Sequence, residues 1–91
     1  MITENNLRLD KKIIVITGAS GYIGRCISKS ISMLGADLIL VDKDKKKLLS
    51  LNLDIQKYNP TNIKIIAADL TKSKDILKIT NYIKNNKLII D

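Results

Sequence analysis

Eight consecutive residues, Thr17-Gly18-Ala19-Ser20-Gly21-Tyr22-Ile23-Gly24, carry the clearest chemical signal in this 91-residue chain. Glycines at positions 18, 21 and 24 permit a tight turn, and they let backbone N–H groups approach an anion closely. Immediately before them, Lys12-Ile13-Ile14-Val15-Ile16 is an apolar, β-branched run that reads as a buried parallel strand. Immediately after them, Ile23, Ile27, Ile31 and Leu34 recur at helical spacing and are expected to form the buried face of a helix. Strand, glycine turn and helix in this order bring a phosphate to the positive end of a helix dipole. A P-loop would need Gly-Lys-Ser/Thr at the end of the turn, whereas Gly24 is followed by Arg25-Cys26.

The elements that must position this turn follow in order. Gly35 suits the left-handed residue that ends a helix, and Asp37-Leu38-Ile39-Leu40-Val41 reads as a second buried strand that stops at Asp42. Asp42 lies 18 residues past Gly24, close to the roughly 20 of a dinucleotide fingerprint. A carboxylate there accepts hydrogen bonds from the ribose 2′- and 3′-hydroxyls and repels a 2′-phosphate, so NAD is expected ahead of NADP. Two neighbours compete with this reading: Asp44 is a rival cap for the next helix, and Lys43 is a cation that would welcome a 2′-phosphate. Leu48, Leu51 and Ile55 predict a helix from about Asp44 to Tyr58, although Leu49, Leu51 and Leu53 alternate as a strand would. Asn59-Pro60 ends that element. Ile63-Lys64-Ile65-Ile66-Ala67-Ala68 reads as a third strand, ending at Asp69-Leu70. Thr71 or Ser73 is expected to cap a last helix carrying Ile76, Ile79 and Ile83, which Asn85-Asn86 breaks. Leu88-Ile89-Ile90-Asp91 looks like the approach to a fourth strand. The expected fold is α/β, a three-layer Rossmann-like parallel sheet of order 3-2-1 with right-handed crossovers and its fourth strand truncated.

Glycine turn, Asp42 and the segment Ala68-Asp69-Leu70-Thr71 together resemble the short-chain dehydrogenase/reductase family, as does the lead-in Leu9-Asp10-Lys11-Lys12. The resemblance covers the chain from about Leu7 to Asp91. It implies that Asp69 hydrogen-bonds the adenine amino group and that Leu70 packs on the ring. It also implies a cofactor site built from Gly18, Ser20, Gly21, Tyr22, Ile23, Gly24, Asp42, Lys43, Asp69 and Leu70, with an oxidoreductase activity on an unidentified small molecule. The Gly-x-x-Gly-x-x-Gly spacing is that of the family's extended branch, which includes nucleotide-sugar epimerases and dehydratases. The Ala68-Asp69-Leu70-Thr71 segment looks like the compact branch, so both stay open. Family members act through a serine and a Tyr-x-x-x-Lys pair, and no such pair is present. Four residues after Tyr22, Tyr58 and Tyr82 stand Cys26, Asn62 and Asn86. The chain is therefore expected to be inactive alone, with no catalytic residue of its own. It reads as a single, incomplete NAD(P)-binding domain over residues 1–91, a fragment, in preference to a complete non-catalytic dinucleotide-binding module.

Composition narrows the alternatives. With 16 Lys and Arg against 9 Asp and Glu the net charge is +7, but apart from Lys43 and Lys45-Lys46-Lys47 the lysines are dispersed. That run reads as a solvated first turn, and without Phe or Trp to stack bases no nucleic-acid partner is expected. With no histidine and one cysteine, no metal site is expected either. Cys26 is expected to be a small buried or half-buried side chain beside the Ile23–Ile27 stripe. Apolar runs are only strand-length and the first residues are polar, so neither a membrane span nor a signal peptide is expected, and a cytoplasmic location is the default expectation. The first strand is expected to lack its second neighbour, which makes self-association through its edge an expectation as well.

Overall fold

The computed structural model describes Asp10 and residues 12–85. Strands and helices alternate as β1 (Ile13–Thr17), α1 (Tyr22–Met33), β2 (Asp37–Asp42), α2 (Lys45–Tyr58), β3 (Ile63–Ala67) and α3 (Ser73–Asn85). All described strands are parallel, in the order β1-β2-β3, the expected arrangement seen from the other edge. The expected fourth strand at Leu88 to Asp91 lies outside the described residues. Val15 stands opposite Ile39, and Ile39 opposite Lys64, so the three strands end side by side.

Side chains alternate across each strand, and β2 is covered on both faces, which explains its unbroken apolar run. Leu38 and Leu40 point to one side, where they pack with Ile16 and with Leu48, Leu51 and Ile55 of α2. Ile39 and Val41 point to the other, where Ile66, Ile79 and Tyr82 meet them. The result is three layers, with α1 and α2 on one face of the sheet and α3 on the other. The strand-like alternation in α2 does not prevail, because Leu51 is fully buried while Leu49 and Leu53 face solvent. Asp44 caps this helix by accepting the Lys47 N–H at 3.1 Å, and the chain leaves it at Asn59-Pro60.

The orientation of α1 departs from its hydrophobic pattern. Ile31 packs against the core as expected and Leu34 is half-buried, but Ile23 is 70% exposed and Ile27 44%, whereas Ser28 and Ser32 are buried. Gly24 supplies the reason: a Cβ there would sit 2.1 Å from the Gly18 carbonyl oxygen and 2.9 Å from the Ala19 Cα. Gly24, Ser28 and Ser32 fall at i, i+4 and i+8, a stripe of small residues that lets the helix lie close to the turn and sheet. The buried hydroxyls are satisfied within the helix, Ser28 donating to the Gly24 carbonyl and Ser32 to that of Lys29, each at 2.7 Å. Side-chain size, rather than hydrophobicity, sets the rotation of this helix. Cys26 is accordingly exposed, contrary to expectation, because it lies two positions from Gly24 and so on the opposite side.

Gly24→Ala should therefore cost about 1–3 kcal/mol by forcing α1 off its seat. Ile27→Ser, on the exposed side, should stay within about 0.5 kcal/mol of the unmodified chain. Urea unfolding of both variants checks this, and the opposite ranking would show that the isoleucine stripe is the buried face.

Candidate functional site

Because the parallel strands end side by side, the turn after β1, the tip of β2 and the tip of β3 gather at one edge of the sheet. Backbone bonds lock the three together: the Ala19 N–H donates to the Val41 carbonyl at 3.1 Å, and the Ala68 N–H to that of Asp42 at 2.8 Å. Gly18 turns the chain with φ +63°, in the left-handed region, although nothing lies within 4 Å of where a Cβ would be. Backbone angle, not crowding, requires glycine here.

Gly21 closes the turn by donating to the Gly18 carbonyl at 3.1 Å and then serves as the N-cap of α1, without any side-chain cap. The first helical bond runs from the Arg25 N–H to the Gly21 carbonyl at 2.9 Å. The N–H groups of Tyr22, Ile23 and Gly24 thus have no partner among the described residues and sit at the positive end of the helix dipole. The Tyr22 side chain projects from this turn into solvent. An anion such as a pyrophosphate fits such a cradle.

Asp42 does not cap α2, because Asp44 takes that role. Its carboxylate is held in place by the turn itself. The Oδ2 atom accepts the Ser20 hydroxyl at 2.6 Å and the Ser20 N–H at 3.1 Å, while Oδ1 accepts the Lys43 N–H at 2.7 Å. Burial pushes the Asp42 carboxyl up, but the bonds from the Ser20 hydroxyl and the Lys43, Ser20 and Asp44 N–H groups outweigh it and hold the carboxyl below its ordinary value. Ser20 is buried and turned onto Asp42. This pairing across 22 residues of sequence escapes sequence reasoning, since no spacing rule links a turn to the tip of the next strand.

At the third tip, Asp69 Oδ1 accepts both the Thr71 hydroxyl at 2.6 Å and the Thr71 N–H at 2.9 Å. These bonds hold its carboxyl below the ordinary value. Of the two expected caps of α3, Thr71 donates to Asp69 and Ser73 is already the first residue of the helix. Instead Asp75 accepts the Asp69 N–H at 2.7 Å, and Ser73 opens the helix. Leu70 is half exposed at the rim. Lys43 is exposed beside Asp42, and its charge also favours the ionised form of Asp69. The structure thus brings the turn residues, Asp42, Lys43, Asp69 and Leu70 to one edge. Among the described residues there is no group of three or more metal-ligating side chains, and no helix is long and apolar enough to cross a membrane.

A family model described as short chain dehydrogenase matches residues 12–91. The chain is 30% identical over 77 residues to an 11-beta-hydroxysteroid dehydrogenase B of Sesamum indicum, covering 85% of this chain and 21% of the relative. It is 36% identical over 69 residues to an uncharacterised oxidoreductase of Staphylococcus epidermidis, covering 76% and 28%. Among solved structures, a short-chain dehydrogenase from Sphingobium yanoikuyae in complex with NADPH superposes with a TM-score of 0.71 at 31% identity, covering 75% of this chain and 27% of that one. The chain belongs to the short-chain dehydrogenase/reductase family and carries its Rossmann-like dinucleotide-binding fold. It spans 21–28% of the length of these relatives.

The Ser20–Asp42 bond has a titration consequence. A carboxyl held low in the folded state contributes stability above its unfolded pKa, and that contribution is lost as the pH falls through the folded value. Ser20→Ala should raise the Asp42 pKa and move acid unfolding to higher pH. A carboxyl NMR titration of Asp42 reads this directly; an unchanged value would mean the hydroxyl bond does not form in solution.

Proposed function

We propose that residues 1–91 form a single domain that is the cofactor-binding portion of a short-chain dehydrogenase/reductase oxidoreductase acting on a small molecule in the cytoplasm. The observation that supports this reading best is the pairing of three unpartnered N–H groups, those of Tyr22, Ile23 and Gly24, with a fixed carboxylate at the next strand tip. The N–H groups bind and orient the pyrophosphate, and Gly18 and Gly21 let it approach. Asp42 accepts a ribose hydroxyl, and Ser20 holds that carboxylate in position. Asp69 and Leu70 receive the adenine. A bound nicotinamide dinucleotide supplies the hydride chemistry; residues of this chain bind it and orient it.

NAD is the proposed cofactor, because a 2′-phosphate would meet the Asp42 carboxylate. Lys43 is what would instead favour NADP. Asp42→Ala should weaken NAD by about 1.5–3 kcal/mol, the worth of a hydrogen bond to a charged group, and weaken NADP less. Gly18→Val should abolish binding of either while the chain stays folded, since its φ of +63° suits no β-branched residue. Calorimetric titration of both cofactors against the three proteins is the test. Unchanged affinity in folded Gly18→Val protein would refute the site, and preference of the unmodified chain for NADP would refute the role of Asp42.

The isolated chain is expected to transfer no hydride, because none of its tyrosines precedes a lysine by four positions. Self-association through the first strand belongs to the same reading. Asp37 donates to the Lys12 carbonyl, so by parallel alternation the Val15 backbone groups face away from β2, where no partner for them occurs among the described residues. Ultracentrifugation should show association that rises with salt as the +7 charge is screened. A monomer at every ionic strength would refute it.

A further inference from the structure

The outer edge of β3 is a second surface, separate from the dinucleotide cradle. The Leu38 N–H donates to the Asn62 carbonyl and the Ala68 N–H to the Asp42 carbonyl, which fixes the even-numbered backbone groups of this strand toward β2. Parallel alternation then turns the N–H and C=O groups of Ile63, Ile65 and Ala67 outward. Of these, only the Ala67 carbonyl has a partner among the described residues, the Lys78 ammonium at 2.8 Å. Beside this edge runs a groove of about 350 Å³ between the start of α2 and the inner side of α3.

The groove is lined by Lys45, Lys64, Lys78 and Tyr82 together with the strand, and by no carboxylate. Two of the lysines are already placed: Lys64 lies over the Tyr82 ring, 5.1 Å from its centroid, and Lys78 lies along the strand edge. Neither forms an ion pair among the described residues, unlike Lys29, which is bonded to Asp54 at 2.6 Å. An open ladder between fixed cations selects against another basic strand, including the same edge of a second copy, whose Lys64 would face this one. It favours an extended segment with acidic side chains, the backbone supplying the ladder and the carboxylates meeting the lysines.

We propose that the β3 edge binds an acidic, extended peptide segment by strand addition, with Lys45, Lys64 and Lys78 as its charge partners. The test uses the full chain and a fluorescein-labelled peptide of alternating Glu and Val. Controls are the same peptide with Lys for Glu, and one with proline at alternate positions, which cannot complete the ladder. Anisotropy should show binding of the acidic peptide that falls with salt, and at least about tenfold weaker binding of both controls. Lys64 and Lys78 are both exposed and partner no carboxylate among the described residues, and the one bond lost, from Lys78 to the Ala67 carbonyl, is solvent-exposed, so a Lys64→Glu, Lys78→Glu double variant should keep its circular dichroism, lose the acidic peptide and gain the basic one. No binding of the acidic peptide overturns the proposal, as does equal binding by the double variant. Binding that the proline peptide retains, or that single-stranded DNA matches, would show plain charge attraction and also overturn it. A Lys64→Val variant that self-associates while the unmodified chain binds no peptide would show that the lysines only guard the edge.

Discussion

The contact between Gly24 and the Gly18 carbonyl governs the rest of this molecule. A helix that starts this close to the strand before it has no room for a Cβ at its third residue. The constraint propagates along the helix: Ser28 and Ser32 must lie on the same side, and their hydroxyls must find acceptors within the helix. It also propagates to the site. The turn that Gly18 and Gly24 jointly allow places the Ser20 N–H and hydroxyl on Asp42, and leaves the first N–H groups of α1 without partners. Helix packing and the strand-tip hydrogen bonds thus draw on one piece of backbone geometry.

Electrostatics at the strand tips follow from the same convergence. Asp42 and Asp69 are both held ionised by short bonds from hydroxyl and N–H donors, not by burial, which opposes the charge. A carboxylate already bonded to its own fold keeps one orientation, so a ligand need not organise it on arrival. The cost is capacity. Oδ2 of Asp42 is taken twice by Ser20, and the backbone of Lys43 and Asp44 also bonds this carboxylate.

The two helical faces of the sheet are built differently. Large aliphatic side chains of α2 fill the space under Leu38 and Leu40, whereas α1 contributes Ile31 and otherwise approaches through its small residues. Ile23 and Ile27 are consequently left facing away from this core. On the opposite face α3 meets the sheet mainly through Ile79 and Tyr82, and this sparse contact leaves the groove beside β3.

Element order and the parallel α/β class were legible in the sequence, because each rests on a local rule. β-branched runs make buried strands, glycine at defined offsets makes the turn, and an acid follows at the end of the next strand. The helical reading of residues 45–58 over the strand-like alternation of Leu49, Leu51 and Leu53 was legible too, once Leu48 and Ile55 were counted. Only the tertiary structure decided which side of α1 is buried, and with it the exposure of Cys26. Hydrophobic periodicity favours the isoleucines, but the distance between two backbones favours glycine and serine, and that distance appears only when strand and helix are assembled. Only the tertiary structure likewise decided that Ser20 holds Asp42 and that Thr71 serves Asp69 instead of a helix cap. Hydrogen-bond partners are chosen by proximity at the strand tips, and parallel pairing creates that proximity between residues that lie far apart in the chain.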